Sequence, residues 1–133
     1  MWTVVNSVGK LVEARLTSAD SGEVGACLAE IAKLVAIAPR PVVGILDMSQ
    51  VRVLGREDAD RFVTVMRGDN PRVERTAIVV NADQLLGLQM ERLVRAAALP
   101  RRQVFRLATP AVAWLAEVLS FEEVARARAF MNE

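Results

Sequence analysis

Val42-Val43-Gly44-Ile45-Leu46-Asp47 is an unbroken apolar run that ends in an acid. A run of this length without polar alternation fits a central strand buried on both faces of an α/β sheet. Just before it, Pro39-Arg40-Pro41 stops the preceding segment, in which Val24, Cys27, Leu28, Ile31, Leu34, Val35 and Ala38 share one stripe. Glu23, Glu30 and Lys33 lie off that stripe, so the segment reads as an amphipathic helix. Its start is expected in Thr17-Ser18-Ala19-Asp20-Ser21, where Asp20 and Glu23 have capping-box spacing and Ser18 is the alternative cap. On this reading Cys27 is an inert core residue.

Further upstream, Trp2 to Asn6 is β-prone, Asn6-Ser7-Val8-Gly9-Lys10 supplies turn residues, and Leu11 to Leu16 alternates apolar and polar. The pattern predicts a hairpin with Val12, Ala14 and Leu16 inward, and with Glu13 and Arg15 facing solvent. Downstream, Met48 to Arg56 is a connection. Glu57 to Arg67 is a helix with Ala59, Phe62, Val63 and Met66 inward, closed by Gly68. Thr76-Ala77-Ile78-Val79-Val80 repeats the buried-strand pattern. Asn81-Ala82-Asp83-Gln84 opens a third helix with Leu86, Met90, Leu93 and Ala97 inward. Gln103-Val104-Phe105 is a short peripheral strand, Thr109-Pro110 starts a helix, and Ser120-Phe121-Glu122-Glu123 is a capping-box pattern opening the last one.

Strands alternating with helices predict an α/β fold. The expected sheet is mixed but mostly parallel, with about five strands including an N-terminal antiparallel hairpin, covered by four to five helices. The 133 residues form one domain on this reading.

Composition narrows the chemistry. The chain has no histidine, no tyrosine and one cysteine, and a net charge of +1. Histidine-based triads, histidine–cysteine zinc sites and an internal disulfide are therefore excluded. The apolar runs are shorter than the roughly 18 residues a membrane span needs. A first stretch without a charged leader or a long apolar run, together with the lone cysteine, leads to the expectation of no signal peptide and a cytoplasmic location. Arg outnumbers Lys by 15 to 2. Arg67, Arg72 and Arg75, with Arg92, Arg95, Arg101 and Arg102, are a candidate anion-binding face or, more simply, solvated helix faces. The low aromatic content and the lack of a lysine-rich stripe argue against nucleic acid. Scattered glycines give no phosphate loop. The acids Glu57, Asp58 and Asp60 fit a helix start, where the dipole favours them.

Asp47 is the most suggestive single residue, because α/β proteins do their chemistry beyond the carboxyl ends of strands. A phospho-acceptor aspartate, as in receiver domains, needs further acids to hold Mg²⁺ and a lysine after the last strand. Here Asp20 stands alone, and Arg101, Arg102 and Arg106 flank the last strand. A hydrogen-bonding role at the strand exit is the reading the residues favour. Ser49, just beyond, is read as shaping the turn.

The hairpin, the helix and the stretch Val42 to Val51, with its Asp47-Met48-Ser49-Gln50-Val51 segment, resemble a STAS domain, the anti-sigma factor antagonist fold. The C-terminal half is similar to the SpoIIAA-like branch, through Arg102 to Phe105 and Ala111 to Leu115. The resemblance implies a protein-interaction domain switched by phosphorylation of a serine in an Asp-Ser pair before the second helix. Gly55 and Arg56 occupy those positions here, so that switch is missing. The expectation is a non-enzymatic regulatory or scaffolding domain without cofactor or metal. Its protein partner would meet Asp47, Ser49, Gly55, Arg56, Asp60 and Arg61. The final helix, with Phe121, Val124 and Phe130, would offer a homodimer contact. The alternative is a small-molecule or lipid-binding module, marked by an apolar pocket with few polar groups.

Overall fold

The computed structural model describes residues 1–20 and 22–133. The elements are β1 (Trp2–Val8), β2 (Leu11–Leu16), α1 (Glu23–Ile37), β3 (Val42–Asp47), α2 (Arg56–Asp69), β4 (Val73–Val79), α3 (Gln84–Ala97), β5 (Arg102–Phe105), α4 (Ala108–Ala116) and α5 (Phe121–Met131). A turn of 3₁₀-helix, Asn70–Arg72, joins α2 to β4. The strands form one sheet in the order β1-β2-β3-β4-β5. β1 and β2 are antiparallel, and every later pair is parallel. This is the mixed, mostly parallel α/β sheet expected from the pattern, with five helices in place around it.

Two cores follow from the alternation of side chains across the sheet. On one face Ala14, Leu16, Leu46 and Ile78 pack against Cys27, Leu28, Phe62, Met66, Leu86 and Met90 of α1, α2 and α3. On the other face Leu11, Val43, Ile45, Ala77 and Val79 meet Ala111, Val112 and Leu115 of α4, and Ala127 and Phe130 of α5. Because β3 and β4 are covered on both sides, their sequences show no polar alternation. Cys27 is 1% exposed, and burial, helped by nearby Glu23, pushes its thiol up to about 11.

Several boundaries and exposures differ from expectation. Glu13 and Arg15 do not face solvent. Glu13 is fully buried and Arg15 partly so, because α5 lies over that face of β2. Arg126 of α5 reaches Glu13 at 2.7 Å, and Ser7 donates to the other carboxylate oxygen at 2.8 Å. Neither Asp20 nor Ser18 caps α1. Its N-cap is Gly22, in the left-handed region, with no side-chain bond, and Ser18 instead accepts from the Asp20 N–H. Ser21 lies outside the described residues. α2 runs through Gly68 to Asp69, and β4 begins at Val73 rather than Thr76. α4 starts one residue before Thr109, with Leu107 at the N-cap and no side-chain bond. Within the expected start of α3 the cap is Asp83, which accepts from the Leu85 N–H, and the Ser120–Glu123 capping box of α5 is present. Among the described residues no helix is long and apolar enough to cross a membrane.

Candidate functional site

The exit of β3 is held from three sides. Arg15, the cross-strand neighbour of Asp47, donates from Nε to its Oδ2 at 2.9 Å. The Ser49 N–H donates to Oδ1 at 2.9 Å. The guanidinium of Arg15 also lies 4.2 Å over the Phe130 ring and donates to the Phe130 carbonyl at 2.6 Å. Burial pushes the Asp47 carboxyl up. Hydrogen bonds from Arg15 and Ser49, with the Arg15 charge, outweigh that and hold it below its ordinary value. An ionised, paired carboxylate of this kind orients backbone and does not exchange protons near neutrality.

The connection after Asp47 is anchored rather than loose. Met48, Val51 and Leu54 are buried. Asn81 donates from Nδ2 to the carbonyls of Ser49 and Val51, each at 3.1 Å. Gln89 of α3 pairs with Leu54 through both halves of its amide, accepting from the N–H at 2.9 Å and donating to the carbonyl at 2.8 Å. Asn81 and Gln89 were not singled out from sequence. Asn81 reads as a helix-start residue, and Gln89 is one polar residue on a helix, 35 positions from its partner.

What this clamp presents to solvent is Gly55, Arg56, Asp60 and Arg61, all exposed, along a groove between the N-terminal halves of α1 and α2. Gly22 and Gly25 form the α1 wall. Arg61 is steadied by Asp58 at 2.8 Å, leaving Arg56 and Asp60 outside the ion pairs of this helix. Asp47 is not on this surface. Its side chain is on the α4–α5 side of the sheet, with only 6% of the residue exposed. Ser49 is half-buried in the clamp. Of the six residues named from sequence, four therefore share a surface and two build its support.

The arginines do not form one face. Arg75 crosses to α4, 4.8 Å over the Trp114 ring and bonded to Glu117 at 2.9 Å. Arg67 caps the end of α3 through the Ala96 carbonyl, Arg101 binds the Glu74 carbonyl, and Arg102 is 4% exposed. Comparison with family models, curated proteins and solved structures finds no match for this chain.

Proposed function

We propose that this chain is a STAS-like, non-enzymatic regulatory or scaffolding domain of a reducing cytoplasm, presenting the α1–α2 groove to a protein partner. The observation that carries the reading is the clamped connection. Asp47, Asn81 and Gln89 fix residues 48–54 to the end of the sheet and to α3, so that Gly55, Arg56, Asp60 and Arg61 are offered from a preorganised support. Preorganisation of this kind lowers the ordering cost of association. The strand order advances in one direction from β2 to β5, without the reversal that opens a ligand crevice in doubly wound sheets. The acid at the strand exit is already paired with Arg15 and bonded to the Ser49 N–H. Both features favour a binding surface over a reaction centre.

With Gly55 and Arg56 where the resembled family carries Asp-Ser, binding here is not controlled by phosphorylation at that position. Self-association belongs to the same proposal. Phe130 is committed to the core, which leaves Phe121, 89% exposed, as the apolar foothold on α5. The test is affinity capture with the chain and with Arg56→Glu and Arg61→Glu variants of unchanged thermal stability. Loss of a captured protein with either variant supports the groove, and equal capture by both rejects it. Sedimentation velocity of the chain and of Phe121→Ser tests the α5 contact in the same way.

A further inference from the structure

One row of residues crosses the sheet beneath α1 and α2. Val12, Gly44, Thr76 and Arg102 are successive cross-strand partners on β2, β3, β4 and β5. Gly44 places no side chain in this row, although Val42, Val43, Ile45 and Leu46 around it are large and apolar. The result is a cavity of about 60 Å³ over Gly44, walled by Val12, Ile31, Val35, Phe62 and Met66. Gly44 and Thr76 are partly exposed despite lying in the two central parallel strands, so the space opens outward between the helices. A glycine inside a strand often marks a site that a ligand approaches closely, and here the Thr76 side chain borders the space it leaves.

The cavity has one polar end. Asp69, the last residue of α2, is 9% exposed, and its carboxylate is influenced by the charges of Arg102 and Arg72 without a hydrogen bond to either. Arg102, 4% exposed, is anchored by Asn70 Oδ1 at 2.8 Å and the Met66 carbonyl at 3.3 Å. Arg72 Nε is buried with no partner among the described residues. The Asp69 carboxylate has no hydrogen-bond donor among the described residues and its oxygens are not sealed off, so a group entering the open side of the cavity can donate to it.

These charges select the occupant. A carboxylate ligand would meet the charge of Asp69, and an ammonium would meet Arg102 and Arg72. A hydroxyl can donate to Asp69 and accept from Arg102 or Thr76. We propose that the space above Gly44 binds a small uncharged aliphatic alcohol, its hydrocarbon over Gly44 and its hydroxyl among Asp69, Thr76 and Arg102. The volume admits about three or four non-hydrogen atoms, since a water-sized group needs about 10–15 Å³ of such space. The site is separate from the groove surface and stands or falls independently of it.

The experiment is amide NMR of the whole chain at pH 8, titrated in turn with n-propanol, propionate and propylammonium. Saturable shifts with n-propanol, centred on Val12, Gly44 and Thr76, are expected, with the two ions weaker by about tenfold or more. Gly44→Ala puts a methyl 3.3 Å from Thr76 Oγ1, inside the cavity, and abolishes saturation. Asp69→Asn removes the opposing charge and lets propionate saturate the site through Arg102, a change of selectivity that a purely structural role would not produce. Shifts that rise linearly, that centre elsewhere, or that are equal for alcohol and ions overturn the proposal. So does a folded Gly44→Ala protein that still saturates. Should that variant fail to fold, unaltered propionate binding in Asp69→Asn overturns it instead.

Discussion

Asp69, at the end of α2, and Asp47, at the end of β3, show how environment divides two carboxylates of one fold. Both are buried, but Asp47 receives Arg15 and Ser49 whereas Asp69 receives only distant charge. Burial pushes Asp69 up to about 6, against an ordinary value of 3.8, with Arg102 and Arg72 opposing the rise. A raised folded-state value means that the native state holds the proton more tightly than the unfolded chain. The cost to stability is then complete above about pH 6 and is relieved as pH falls towards 3.8. Asp47 has the opposite sign. Its contribution is present above 3.8 and is lost as pH falls through its lower folded value. In Asp69→Asn the stability difference from the parent should therefore favour the variant more at pH 7.5 than at pH 4, by about 2 kcal/mol. Urea denaturation at the two pH values measures it, and a pH-independent difference would count against an unbonded Asp69. Ala98, which ends α3 at φ 62°, is the other strained position. Glycine carries no Cβ penalty there, so Ala98→Gly should raise stability by about 0.5–1 kcal/mol, read from the urea midpoint.

At the scale of elements, β2 and α5 are where sequence pattern and structure part. Leu11 to Leu16 alternates like a strand with one wet face, and Glu13 and Arg15 fit that pattern residue by residue. The information that buries them lies more than a hundred positions away, in Arg126 and Phe130 of α5. No periodicity links such partners, so polar alternation was legible and its meaning was not. By contrast β3, β4 and the inward stripe of α3 were readable, because burial on both faces and helical spacing are written within the segment itself. Gly68 and Thr109-Pro110 misled for a smaller reason, since helix ends also depend on packing beyond the local cap. The β2–α5 pair yields a direct test. Arg126→Ala strands a fully buried Glu13 with Ser7 alone and should cost about 3 kcal/mol by chemical denaturation. Combining Arg126→Met with Glu13→Gln removes the unpaired charge and should recover most of it. Ser120→Ala, which breaks the capping box of the same helix, should cost about 1 kcal/mol.

At the scale of the whole molecule, the two layers of helices are not equivalent. α1, α2 and α3 each belong to a crossover between parallel strands, so the chain cannot form the sheet without placing them. α4 and α5 follow the last strand and close the opposite face after the topology is complete. Yet α5 meets three needs there. Glu123 accepts the Lys10 N–H at 2.8 Å and so pins the β1–β2 turn, where a side chain at Gly9 would collide with that carboxylate. Arg126 pairs with Glu13, and Phe130 stacks on the Arg15 that holds Asp47. The exit of β3, and with it the support of the candidate groove, is thus tied to the C-terminal helix through Arg15. Ending the chain at Leu119 leaves Glu13 and Arg15 without these partners and removes Ala127 and Phe130 from the core that holds Leu11. The truncated protein should keep much of its far-ultraviolet helical signal while losing a sharp thermal transition and gaining dye binding to exposed apolar surface. A cooperative transition within a few degrees of the full chain would show instead that the α1–α3 layer stabilises the sheet unaided.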